Sequence, residues 1–194
     1  MRSIINILLL AAILFLGWLL INSIKEPIQF QAEKQKREGA VVEQLKEIRT
    51  SLEIYKAIKG DYPSTFDSLK MVLRDGKIPL VQVYDDLSDP TGESYIYDTV
   101  YFNASDSVKS LGIAIDSLDL VPFGNGATFS IQTDTMTYQS TLVDVVEVGV
   151  KRKVFMGPFA DPKYGKYDDK YDPNSMIKFG DMNAPNLSGN WGER

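Results

Sequence analysis

The sequence contains no cysteine and no histidine among its 194 residues. The absence of cysteine excludes disulfide bonds, thiolate nucleophiles and thiolate metal ligands, and the absence of histidine excludes imidazole bases and imidazole metal ligands. Any catalysis would have to use carboxylates, hydroxyls, amines or the backbone. We therefore expect a protein that is not an enzyme and that carries no cofactor and no metal.

Positive charge is also in short supply. The chain has 21 Lys and Arg against 26 Asp and Glu, a formal net charge of -5. A broad basic surface, which holds nucleic acid by releasing its counterions, is not expected from this balance. Nucleic acid is therefore not an expected partner.

One long hydrophobic run, "IINILLLAAILFLGWLLI", occupies residues 4–21 and contains no charge. At a rise of about 1.5 Å per residue, it nearly crosses a hydrocarbon core of about 30 Å. We predict a cytoplasmic tail over residues 1–3 and a transmembrane signal-anchor over residues 4–24, with lipid contact through residues 4–21. A cleaved secretory signal is the alternative, although "LLINSIKEP" offers no small-x-small cleavage site.

The flanks of this segment give opposing signals about its orientation. Arg2 favours a cytoplasmic start, whereas the positive charges on the C-terminal side of the segment favour the reverse. A hydrophobic segment this early in a chain usually acts as a signal-anchor that exports the residues after it. We therefore expect the remainder of the chain to lie outside the cytoplasm.

Residues 25–60 have the composition of an amphipathic stalk helix. Pro27 is expected to kink or break the chain beyond the membrane, Gly60 to cap the helix, and Pro63 to prevent its continuation. Apolar residues at alternating spacings of four and three predict one buried stripe. This interaction stripe packs either on the protein's own sheet or in a short coiled coil, and it consists of Val41, Leu45, Ile48, Leu52 and Tyr55.

Residues 61–156 predict a soluble α+β domain. A second helix is expected over residues 65–74, capped by Ser64. Runs rich in Val, Ile, Tyr, Phe and Thr predict antiparallel strands: "IPLVQVY", "SYIYDTVYF", "ATFSIQT" and "VDVVEVGVKRKVFM". The connection "SVKSLGIAIDSLDLVPFGNG" is expected to be irregular with one helical turn. The predicted fold is a transmembrane helix, a long amphipathic helix on a small antiparallel sheet, and an irregular C-terminal tail.

The tail, residues 157–194, has few aliphatic residues and many Asp, Asn, Pro and Gly. Its aromatic residues either pack on the sheet or form a possible ligand contact, for example with sugar rings: Tyr164, Tyr167, Tyr171 and Trp191. Its carboxylates either form a solvated loop or gather around calcium: Asp161, Asp168, Asp169 and Asp172. Ser175 and Lys178 match the Ser-x-x-Lys spacing of some acyl enzymes, without the accompanying motifs.

The segment "LKEIRTSLEIYKAIKGDYPSTFDSL" resembles the junction between helix and loop in type IV pilins and type II secretion pseudopilins. In those families an N-terminal hydrophobic helix continues into an amphipathic one, and a Gly-x-Tyr-Pro turn leads into an antiparallel sheet. "MRSIINILLL" departs from the families, because it lacks their Gly at the cleavage point, the Met or aromatic residue after that point, and the Glu within the hydrophobic segment.

This departure indicates a permanently anchored protein, similar to the inner-membrane alignment proteins of pilus machines. The "KEPI" entry and "GNW" ending also resemble those of an uncharacterised group of Gram-negative envelope proteins. The resemblance implies an inner-membrane, single-pass protein with a periplasmic domain. It would serve as a scaffold component with protein partners in a pilus-like, secretion or other envelope assembly. The alternative is a binding module for cell-wall glycan or another extracellular ligand.

Overall fold

The long apolar and amphipathic segments of the sequence form one helix in the computed structural model, which describes residues 2–85 and 95–192. The predicted α+β class is confirmed, with a long N-terminal helix and small antiparallel sheets. Three parts of the sequence predictions lie outside the described residues: Met1 of the predicted tail, Ser94 of the second predicted strand, and residues 193–194.

Helix α1 (Arg2–Lys59) is continuous over 58 residues and contains Pro27. Of the predicted kink or break at Pro27, the break is therefore wrong, and the kink stays a prediction. Proline has no N–H to donate to the carbonyl of Ser23, but the turns on both sides retain their own hydrogen bonds. α1 is long and apolar enough to cross a membrane, and the apolar window that meets this test has no buried residue.

Capping residues define the end of α1 and the start of the next helix. Gly60 has φ +90°, a left-handed conformation that favours glycine, and its N–H donates to the Lys56 carbonyl at 2.8 Å. Helix α2 (Phe66–Asp75) is capped by Thr65, whose hydroxyl accepts from the Ser68 N–H at 3.2 Å. The prediction of Ser64 as the cap was therefore one residue early.

Two separate antiparallel sheets come next along the chain. Among the strands that the structure describes, β1 (Lys77–Asp85) and β2 (Tyr95–Asn103) pair only with each other, and we call them the β1–β2 hairpin. The second sheet has the order β3-β4-β5, formed by Ser130–Tyr138, Thr141–Lys151 and Met176–Gly180. Between the sheets lies α3 (Ala104–Ser110), a longer helix than the single turn that was predicted there. The last predicted strand ends at Lys151, where the short helix α4 (Arg152–Phe155) begins.

The core lies between α1 and the three-stranded sheet. Val41, Leu45, Ile48 and Leu52 are fully buried, and Tyr55 is 9% exposed. They share one hydrophobic cluster with α2, α3 and the apolar faces of β4 and β5. The interaction stripe is therefore buried within the protein's own fold.

The C-terminal region is more ordered than its composition suggests. Strand β5, which was not predicted, pairs with β4 along residues 176–180. Gly180 ends it with φ +81°, and a Cβ there would lie 2.0 Å from the Val146 carbonyl oxygen, so only glycine fits. A 3₁₀ turn, Pro162–Tyr167, lies against the early part of α1.

Candidate interaction surfaces

The β1–β2 hairpin exposes an unusual amount of apolar surface. Nine of its large side chains are between 47% and 68% exposed: Leu80, Val81, Val83, Tyr84, Tyr95, Ile96, Tyr97, Tyr101 and Phe102. At roughly 100 Å² of exposed area for each half-exposed side chain of this size, the nine present roughly 900 Å² in total, divided about equally between the two faces of the hairpin. Monomeric proteins seldom show contiguous apolar patches larger than a few hundred Å², and larger ones mark interaction sites.

Both faces of the hairpin are apolar. The register places Val83 opposite Tyr97 on one face and Tyr84 opposite Ile96 on the other. Because side chains alternate between the two faces of a strand, a hairpin packed on its own core would be polar on one side. Among the described residues, the hairpin meets the rest of the domain at its base, next to Gly76 and Ala104, and the nine side chains beyond the base are exposed on both faces.

The base of the hairpin is attached beside the end of α1. A Cβ on Gly76 would lie 3.0 Å from Ile58 Cδ1, and the Ala104 N–H donates to the Gly76 carbonyl at 2.9 Å. Ile58 lies 37 residues beyond Ile21, where the apolar run ends. At about 1.5 Å per residue, the base is therefore held about 55 Å along α1 from that point.

At the other end of the domain, aromatic rings enclose Phe30 of α1. Phe30 is fully buried and stacks on Tyr164, with ring centroids 5.1 Å apart, while Tyr171 meets it edge-on at 4.9 Å. Phe159 and Tyr167 complete the group at 6.0 and 6.2 Å. We call these five residues the aromatic clamp. Pairs of this geometry contribute about 0.5–1.5 kcal/mol beyond the area they bury.

Polar contacts reinforce the clamp along the same stretch of α1. The Tyr167 hydroxyl donates to Glu26 at 2.7 Å, and Arg37 donates to the Phe155 carbonyl at 2.8 Å. Arg152 pairs with Glu38 at 2.7 Å, and Lys34 pairs with Asp168. The C-terminal region is therefore fixed to α1 from its first turns beyond the apolar run.

The protonation of these groups is set by their partners. Burial raises the pKa of Tyr171 to about 12, and its hydroxyl donates to the Phe159 carbonyl at 2.6 Å. The hydrogen bond from Lys34 lowers the pKa of Asp168, and that from Tyr167 lowers the pKa of Glu26. Both carboxylates are therefore ionised at neutral pH, which maintains their contacts with the lysines.

The four aromatic residues considered as a ligand contact do not form one exposed surface. Tyr164 and Tyr171 are buried in the clamp, and Tyr167 is half-buried there. Trp191 lies elsewhere, edge-on to Phe179 at 6.4 Å. It borders an open groove of about 740 Å³ beside Arg49 and Glu53 of α1. Of the four aromatic residues, Trp191 is therefore the one that borders this groove, where a ligand could contact it.

The acidic residues of the C-terminal region form turns. Asp161, Asp168 and Asp172 each accept the backbone N–H two residues further on, at 2.8, 3.0 and 2.8 Å. These are Asx turns, which explain why the region is rich in aspartate. Among the described residues, no group of three acidic side chains is arranged to hold a metal ion.

Ser175 and Lys178 do not face each other. Ser175 donates to the Asp172 carbonyl at 2.5 Å and accepts from Arg152. Lys178 lies on β5 and pairs with Glu147 at 2.6 Å. An acyl enzyme needs the amine within hydrogen-bond reach of the nucleophilic hydroxyl, and here each group is bound to another partner.

Sequence reasoning missed the hairpin as an interaction surface. The signal was present, because "IPLVQVY" and "YIYDTVYF" carry apolar residues at odd and even positions alike. Such runs are typical of strands that are covered on both faces. In this protein the cover is not part of the described chain.

Comparison with protein-family models, with curated proteins and with solved structures finds no match to this chain.

Proposed function

We propose that this protein is a membrane-anchored docking protein without enzymatic activity, which presents the β1–β2 hairpin to a protein partner in an envelope assembly. The observation that carries the proposal is the exposed apolar surface on both faces of the hairpin. A partner that covers both faces would bury roughly 900 Å² of the hairpin, compared with about 800 Å² per partner in a standard protein interface.

Strand physics supports a protein as the occupant. A two-stranded hairpin is marginally stable in water by itself, and a third strand or a packed apolar surface stabilises it. Within residues 2–85 and 95–192, no further strand pairs with the outer edges of the hairpin, so those edges carry unpaired backbone groups. A protein partner supplies both a strand edge and apolar side chains, whereas a glycan supplies neither.

The position of the hairpin fits this role. The clamp fixes the domain to α1 close to the apolar run, and the hairpin base lies about 55 Å further along the same helix. A continuous helix holds the two ends at a constant distance. The partner would therefore be met at a defined distance from the membrane.

The glycan-binding alternative has less support. It depended on four exposed aromatic residues, and two of them, Tyr164 and Tyr171, are buried against Phe30. Sugar rings stack on accessible aromatic faces. Trp191 alone would have to carry that contact.

Replacing Tyr97 and Tyr101 by threonine should weaken partner binding strongly. Threonine keeps the strand propensity but removes two rings that are 68% and 63% exposed. Because aromatic anchors at an interface usually contribute more than 1 kcal/mol each, we expect at least a ten-fold loss of the complex. The measurement is sedimentation of the full chain, extracted from membranes in mild detergent.

Tyr138→Thr is the matched control, since Tyr138 is 45% exposed on the other sheet. It should leave the complex unchanged. A wild-type protein that sediments as a single chain with no associated protein would contradict the proposal. A complex containing two copies of the chain would identify the partner as the protein itself.

We also propose an inner-membrane location, with the domain in the periplasm. α1 supports only the coarser statement that one helix can span a membrane. A reporter enzyme that is active only outside the cytoplasm, fused after the last residue, should be active. If a reporter active only in the cytoplasm works there instead, the orientation is reversed.

A further inference from the structure

We propose that the Pro162–Tyr167 turn, together with Lys25, binds the phosphate of anionic phospholipid head groups, so that the clamped end of the domain sits directly on the membrane surface. This inference rests on the proposed membrane span. In this proposal the folded domain contacts lipid head groups, in addition to the contact that the apolar part of α1 makes with the hydrocarbon.

The first argument is position. Tyr167 and Lys166 both reach Glu26, at 2.7 and 3.7 Å. Glu26 lies five residues after Ile21, which is about 7.5 Å along the helix. The head-group layer is about 5–7 Å thick on each side of the hydrocarbon. A turn that touches Glu26 therefore lies at head-group depth or at its outer edge.

The second argument is the apolar surface of α1 beyond the span. Ile24 and Ile28 are 57% and 63% exposed, one turn apart on one side of the helix. At 3.6 residues per turn, Ile28 lies nearly opposite Glu26, where the turn packs. The lipid-facing side of α1 is thus apolar as far as Ile28. The bilayer interface therefore extends up to the level of the Pro162–Tyr167 turn.

The third argument is charge. Lys25, Lys163 and Lys166 are exposed. Of the carboxylates in and beside the turn, Glu26 is bound by Tyr167 and Lys166, Asp161 accepts the backbone N–H of Lys163, and Asp168 pairs with Lys34. Asp169, which follows it, is exposed. Within the described residues, Lys25 and Lys163 take part in no ion pair. The Lys163 ammonium lies 4.9 Å from the Tyr164 ring centroid, which leaves its other side open to solvent. Each of these two ammonium groups is therefore available to a head-group phosphate.

The aromatic residues of the turn fit the same location. Tyr167 is half-buried, with its hydroxyl on Glu26 and with the Lys166 ammonium 4.5 Å from its ring centroid. Tyrosine is enriched at membrane interfaces, where its ring lies among the head groups and its hydroxyl in the polar layer. A stalk helix over residues 25–60 that stood clear of the domain would hold the turn away from lipid. Instead, the turn contacts α1 at Glu26, close to the end of the apolar run.

The test uses the full chain reconstituted in bilayers of phosphatidylcholine with spin-labelled phosphatidylglycerol or phosphatidylcholine as the probe. The measured quantity is the preference of the protein for the anionic label. A lysine at an anionic surface contributes about five-fold in affinity at low salt. We expect the wild type to prefer the anionic label by about five-fold or more, and Lys25→Gln/Lys163→Gln to reduce the preference towards one.

Lys77→Gln/Lys109→Gln is the matched control, with the same charge change on exposed lysines near the hairpin base. It should keep the wild-type preference, and high salt should weaken that preference in both proteins. An equal loss in both double variants, or no preference in the wild type, would overturn the proposal. Binding of soluble glycerol phosphate by a wild type that shows no preference for the anionic lipid would also overturn it, because the ligand would then be free phosphate.

These outcomes are separable from a failure of the proposed function. Flotation of the protein with the vesicles reports the membrane span alone, whichever lipid the turn prefers. If the protein does not float, the anchor is wrong. If it floats without a lipid preference, only the head-group site is wrong.

Discussion

Replacing Phe30 by alanine is expected to lower the free energy of unfolding of the soluble domain by about 3–5 kcal/mol. Phe30 is fully buried, and four aromatic rings have their centroids within 6.2 Å of its own. Alanine would leave a cavity, and Tyr167 and Tyr171 could not move into it without leaving their hydrogen bonds. Because the C-terminal region meets α1 here, we expect residues 157–172 to detach first.

The measurement is thermal unfolding of the full chain in detergent, together with limited proteolysis within residues 157–172. Ile28→Ala is the control, because Ile28 is equally apolar, two residues away and 63% exposed. It should change stability by no more than about 0.5 kcal/mol. Equal effects of the two substitutions would mean that Phe30 is not the centre of a clamp.

Replacing Leu52 by alanine is expected to cost about 2–5 kcal/mol, at any protein concentration. Leu52 is fully buried in the same cluster as Leu69 and Val148 of the same chain. A side chain buried within its own domain is stabilising whatever the concentration, whereas a coiled-coil contact exists only in the oligomer. The variant should therefore have a lower melting temperature that does not rise with concentration.

The experiment monitors thermal unfolding of residues from Gln29 onward, without the anchor, over a wide concentration range. Glu53→Ala is the control, since Glu53 is the exposed neighbour of Leu52 on α1. A melting temperature of the wild type that climbs steeply with concentration, with a dimer in sedimentation, would favour the coiled coil over packing in the protein's own core.

The features that were predicted from the sequence are those that depend on local rules. The 3.6-residue repeat of Leu45, Ile48 and Leu52 identified the buried side of α1. Gly60 ended the helix, because its left-handed conformation is accessible to glycine. The runs rich in Val and Tyr predicted both ends of β1 and the C-terminal end of β2 to within one residue. The predicted first residue of β2, Ser94, lies outside the described residues.

The features that were missed depend on long-range contacts. Strand β5 is formed by "MIKFG", which is short and comes after a Pro- and Asp-rich segment, and only its pairing with β4 makes it a strand. The clamp joins Phe30 to Tyr164 across more than 130 residues, and no local spacing encodes that contact. Tertiary packing overrides composition in both cases.

The same limit applies to the interaction surface. Burial is a property of the folded chain, so the sequence of β2 could not show that Tyr97 and Tyr101 remain exposed. The apolar residues on both faces predicted a covered strand, and the expected cover was the protein's own core. Because the described chain leaves the hairpin exposed, the proposed docking role assigns that cover to a partner.

The most direct test of this role is photo-cross-linking in intact membranes. A photoreactive phenylalanine derivative at position 97 of the full chain should give a cross-linked product of higher mass, because Tyr97 is the most exposed ring of the hairpin. The same group at position 138, on the other sheet, should give none. Absence of a product from position 97, or equal products from both positions, would contradict a hairpin that docks a protein partner.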